Sequence, residues 1–336
     1  LGYGALYANT TASDNTAVGY NALLSNTTGT KCVAVGAYAL DANTTADSNT
    51  AIGYQSLSAN TTGYQNTAVG EQSLILNTTG YRNTAIGFES LEDNTTGNYN
   101  TGLGYGSLAN NTTADYNVAI GYETLKVNTT GAQNAAVGAH ALDANTTGSY
   151  NIAMGVNALG ANTTASGNTA IGNQAMLANT TGAENTALGA YALDANTTAS
   201  ANTAIGYNCL SANTTGALNT GVGRECLIEN TTGDHNVGVG VECLKENTTG
   251  TDNTAVGYFA LRANVGAVNN TAIGMEALKA NTEGNNNTAV GYAALKSQTT
   301  QQNNTAVGYK ALEDNTHSNQ TAVGYEALKN CTTGDG

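Results

Sequence analysis

Fifteen Asn-Thr-Thr triplets are the residues of this 336-residue chain whose type and spacing most directly suggest chemistry. Each is an acceptor pattern for an N-linked glycan, in which the hydroxyl two residues on assists transfer to the Asn amide. They fall at Asn9, Asn26, Asn43, Asn60, Asn77, Asn94, Asn111, Asn128, Asn145, Asn162, Asn179, Asn196, Asn213, Asn230 and Asn247, always 17 residues apart. The row lapses at Asn264, Asn281, Gln298 and Asn315. Glycans on such a row would sheath one edge of the molecule. A second row places Tyr at 3, 20, 54, 105, 122, 207, 258, 292, 309 and 325; stacked amphipathic rings covering an edge are expected there. Cys209, Cys226 and Cys243 share one column that otherwise holds Ala, Ser or Thr, so they read as small buried residues. Five cysteines without paired spacing form no disulfide framework. His140, His235 and His317 occupy unrelated columns, and no nucleophile, carboxylate pair or phosphate loop stands out from the repeat. No catalytic residue, cofactor site or metal site is therefore assigned, and an enzyme is not expected.

What positions these rows is a 17-residue unit, Asn-Thr-Ala-Val-Gly-Tyr-x-Ala-Leu-x-x-Asn-Thr-Thr-Gly-x-x. Its central glycine recurs in unbroken steps from Gly2 to Gly308 and once more, after a single deletion, at Gly324, giving 20 copies. A period of this size implies a stacked array in which each unit buries its apolar face against its neighbours. The expected fold is a β-solenoid, a parallel β-roll or β-helix of about 20 coils, running as one continuous array over residues 1–336. Both ends fall within a repeat, as in a piece cut from a longer fibre.

Thr-Ala-Val-Gly has period two and reads as a strand. The bulkier residues, Thr16 and Val18, are expected to point into the coil with Leu23. Ala17, Gly19, Ala34, Gly36, Ala51 and Gly53 would then form a flat outer strip suited to self-association. If the Thr16 column were instead exposed, its flat Thr-rich face would suit binding to ice. The Tyr-x-Ala-Leu-x-x segment often carries Glu three residues before Lys, as in Glu123 and Lys126, which suits a helical turn. Helices pack 8 to 10 Å apart and paired strands about 4.8 Å, so no more than one helical or 3₁₀ turn, or a second short strand, fits a coil. A separate Asn column, Asn15, Asn49, Asn66 and on to Asn304, is expected to turn its amides inward and bond along the stack.

Composition narrows the function. Only 10% of residues are charged, Pro and Trp are absent, and the apolar residues are mostly Ala, so the interior must be narrow. Ten Lys and Arg against 24 Asp and Glu give a net charge of -14, which excludes a phosphate-binding surface for nucleic acid. No apolar run reaches the roughly 18 residues of a membrane helix, and no signal peptide is visible.

The unit resembles the Asn-Thr-Ala-Val-Gly-Tyr-x-Ala-Leu repeats of bacterial and phage tail-fibre-domain proteins. More distantly it is similar to the Asn-Ser-Val-Ala-Ile-Gly head repeats of trimeric autotransporter adhesins. The resemblance covers nearly the whole chain; the 17-residue coil and regular Asn-Thr-Thr loop depart from the adhesin heads. It implies a surface-exposed fibre, often homotrimeric, built of parallel β-roll coils. The expected function is a non-enzymatic extracellular or virion-surface fibre, self-associating and glycosylated, with the shaft or head of an adhesin or phage tail fibre as the alternative.

Overall fold

The computed structural model describes residues 1–332; the Thr333-Gly334 end of the last repeat lies outside them. The chain falls into two compact units, Leu1–Gly167 and Asn168–Gly336. Each is a parallel β-solenoid. The first holds nine three-residue strands, from Thr16–Val18 to Ile152–Met154; the second holds ten, from Thr169–Ile171 to Thr321–Val323. Within each unit, successive strands pair in parallel with like columns in register: Thr16 with Val33, Ala17 with Ala34 and Val18 with Val35 in the first, Thr254 with Thr271 and Val256 with Ile273 in the second. The single deletion is absorbed in a loop, since Thr305 still pairs with Thr321.

The strands face the opposite way from the expectation. Ala34 and Ala51 are fully buried, whereas Val18 is 41% and Ile52 40% exposed. The interior explains the reversal. Leu23, Leu40 and Leu57, together with the small column of Ala22, Ala39 and Ser56 and two columns of Asn that are buried beyond the first coil, already fill the interior. Only a methyl group or a hydrogen fits at the remaining wall, so Ala turns in and the β-branched residues turn out. The self-association strip of Ala17, Gly19, Ala34, Gly36, Ala51 and Gly53 is therefore not an outer face. Its alanines line the core, and its half-buried glycines lie against the next coil. At Gly19, where φ is +139°, a Cβ would collide with the carbonyl oxygen of Gly36.

The segment after each strand is neither helix nor second strand. It is a run of turns with two left-handed residues per coil, for example Asn21 at φ +54° and Leu23 at φ +53°. For Leu this conformation costs on the order of 1–2 kcal/mol, and full burial of the side chain returns about 1.5–3 kcal/mol. Backbone bonds run to adjacent coils, as when Tyr38 N–H donates to Tyr20 O at 2.9 Å and Leu40 N–H to Ser56 O at 3.0 Å. The Glu and Lys pairs anticipated for a helix form without one: Lys126 Nζ lies 2.6 Å from Glu123 Oε1.

Candidate functional site

Each coil sends its polar groups to one of two places. The Asn-Thr-Thr asparagines go inside. Asn9 at the first coil is half-buried, and the other fourteen of the expected glycan row, Asn26 to Asn247, are fully buried. Asn43 Nδ2 donates 2.9 Å to Asn26 Oδ1 in the preceding coil and 3.1 Å to Ala46 O in its own loop. The same two bonds recur at Asn60, Asn94 and Asn230. A glycosidic bond at Nδ2 replaces one of its two hydrogens, so it would break one of these bonds and force a sugar into a filled core. The expectation of glycans on this row is corrected accordingly: the row is an internal amide ladder. At the lapse, Gln298 keeps the loop bond by donating to Gln301 O at 2.9 Å.

The other Asn column forms a second inner ladder, as its expected inward turn requires. Asn66 Nδ2 donates 2.8 Å to Gly80 O, and Asn49 Oδ1 accepts the backbone N–H of Asn66 at 2.9 Å. Cys32 replaces one rung of this column; its own N–H still donates to Asn15 Oδ1 at 2.9 Å. A third row is half-buried in the loop, where Thr27 Oγ1 donates 3.0 Å to Thr44 O. These rows satisfy the polar groups that a turn-rich coil would otherwise bury unpaired.

Cys209, Cys226 and Cys243 are fully buried, and the Sγ atoms of Cys226 and Cys243 lie 2.9 Å apart. Hydrogen bonds to the two neighbouring thiols, with burial, push the Cys226 thiol well above its ordinary range. It is an inert packing group. The strand column accommodates these sulfurs. Ala gives way to Gly at Gly221 and Gly238, where a Cβ would stand 2.5 Å from Cys209 Sγ and Cys226 Sγ respectively. That exchange was visible in the sequence as two Ala-to-Gly changes beside a run of Cys, although its meaning needed the inward direction of the strand.

Outside, three columns adjoin. The strand Thr residues are mostly half-exposed, the Val and Ile residues roughly two-fifths exposed, and the tyrosines form broken stacks. Tyr105 and Tyr122 stack at 5.2 Å, and Tyr292, Tyr309 and Tyr325 at 5.2 and 5.1 Å. A further stack joins Tyr64 to Tyr81 at 4.9 Å on the loop side. On the turn side an ion-pair row carries many of the cations. Lys245 bonds Glu225 and Glu242, Arg262 bonds Glu242 and Glu246, and Lys279 and Lys296 both bond Glu276. Lys279 and Lys296 hold the Glu276 carboxyl below its usual range. The depression of about 380 Å³ lined by Arg262, Lys279 and Lys296 is thus bordered by cations that already have partners.

The histidines are not brought together with a reactive group. His140 Nδ1 lies 3.5 Å from Asp143, His235 Nδ1 lies 3.5 Å from Asp252, and His317 sits in the shortened loop, its backbone O accepting from Asn304 and Asn315. Among the described residues no group of three or more His, Cys, Asp or Glu side chains is placed to hold a metal ion, and no helix is long and apolar enough to cross a membrane. In comparison with known proteins, the chain matches no family model and no curated sequence.

Proposed function

We propose that this chain is the repeating, non-enzymatic body of an extracellular or virion-surface structural fibre. The carrying observation is that buried side-chain amides bond from coil to coil in both units, as from Asn43 to Asn26 and from Asn230 to Asn213. Every coil therefore spends its chemistry on holding the next one. The open depression of about 320 Å³ beside Asp47 and Tyr64 gathers no set of groups suited to turning over a substrate.

Stretching single molecules from their ends tests the reading. A structural solenoid should resist and then release length in steps of whole coils, each on the order of 60 Å for 17 extended residues. Turnover of polysaccharide by the purified chain, or extension without resistance, would refute it. The outward Tyr stacks favour a second reading, the shaft or head of an adhesin or tail fibre. Retention of specific sugars on a glycan array would move the assignment there.

A further inference from the structure

We propose that the outward face of the sheet in the second unit is an interface between copies of this chain; the proposal rests on the structural-fibre reading and names its partner. Among the described residues, the strand hydroxyls of Thr203, Thr254 and Thr271 have no hydrogen-bond partner, while those of the loop row do, as from Thr214 to Thr231 O at 3.0 Å. Beside them stand Ile205, Val256 and Ile273, the last 41% exposed. A sheet face that runs a part-exposed aliphatic column beside a column of Thr over ten strands presents a long apolar strip of the kind that marks an interaction surface.

Charge decides in favour of a copy. The chain carries a net charge of -14, yet the ten strands of this unit place no charged residue in either outward strand column, and the adjoining ring column holds one charged residue, Arg224, which pairs with Glu225 and Glu242. Two copies can therefore meet here without carboxylate opposite carboxylate, which the turn side with its Glu row does not allow. Area agrees. With the adjoining ring column, each coil offers on the order of 100 Å², so ten coils offer about 1,000 Å², against about 800 Å² per partner in a standard stable interface. Periodicity agrees as well. A surface whose columns repeat with every coil is met at every column only by a surface with the same repeat, and an identical chain supplies one. The row of Tyr207, Tyr258, Tyr292 and Tyr309 stands along the edge of the face and makes it ridged, which suits interdigitation with a like face better than a flat plane of ice.

Sedimentation equilibrium of the full chain tests this, with circular dichroism to follow the fold. The native chain is expected to associate at micromolar concentration, and Ile205→Lys with Ile273→Lys to shift the dissociation constant at least a hundredfold towards monomer with an unchanged β spectrum. Thr215→Lys with Thr232→Lys adds the same charge on the exposed loop edge and should leave association intact. If the strand-face variant loses its β spectrum, Thr203→Lys with Thr271→Lys, at half-exposed positions, repeats the test. A folded native monomer at all concentrations, or association indifferent to the strand-face lysines, overturns the interface and leaves the structural-fibre reading standing. A folded monomer that shapes ice crystals also overturns it and assigns the face to water. Polysaccharide turnover would instead remove the reading beneath it.

Discussion

A column that admits only Ala or Gly is the plainest mark of tight packing in this chain, and it runs through Ala17, Ala34, Gly102, Gly221 and Gly238. That strictness was legible. Its direction was misread because β-branched Thr and Val are usual core residues, whereas here the Leu and Asn columns leave no volume for them. The looser outward column, where Thr gives way to Val33, Ala135 and Ile152, carries the opposite mark and could have corrected the reading. The Asn-Thr-Thr motif misled in another way. A sequon is three residues of local pattern, and burial is set by the coil that contains it. Complementarity between columns gives a direct test at this scale. Gly221→Ala should destabilise the chain by about 1–3 kcal/mol through overpacking against Cys209. Cys209→Ala in the same molecule should recover most of that loss, a coupling that a double-mutant cycle of urea midpoints measures. Additive losses would mean that the two positions do not share one space.

At the level of the element, the strand was legible from its period and the turn segment was not. Asn21 is a type that tolerates a left-handed backbone, but its column also holds Tyr38, Gln55 and Glu89, and neither they nor Leu23 announce one; the Glu-to-Lys spacing that suggested a helical turn is equally served by coils stacked side by side. Those ion pairs have their own consequence. Bonds from Lys279 and Lys296 hold the Glu276 carboxyl below its ordinary range, so its folded value lies beneath its unfolded one. The contribution is therefore present above the unfolded value and is lost as pH falls through the folded one. Glu276→Gln is expected to cost roughly a few tenths of a kcal/mol to 1 kcal/mol at neutral pH, since the partner lysines are partly solvated. The difference between thermal melts of the two proteins should begin to shrink as pH falls below the ordinary carboxylate value of about 4.3, vanish once pH lies beneath the depressed folded value, and shrink also in high salt. A difference that persists undiminished in acid would show that packing, and not charge, holds Glu276.

For the molecule as a whole, the 17-residue period by itself implied a solenoid, because a unit this short has no core until it is stacked. The structure adds how the stacking is specified. Each unit pairs its strands in register, lines its interior with bonded amides, and turns uncharged Thr and Val columns outward. Self-association, anticipated on the Ala/Gly strip, belongs to that outward face in the proposal made here. Single-cysteine labelling of a background with the five native cysteines replaced by Ala tests the account most directly. Thr203→Cys and Ile205→Cys in the folded monomer should react with maleimide at rates near those of an unfolded control, and Ala204→Cys should be protected by orders of magnitude. Rapid labelling at 204 with protection at 203 and 205 would contradict it, placing the β-branched residues inside.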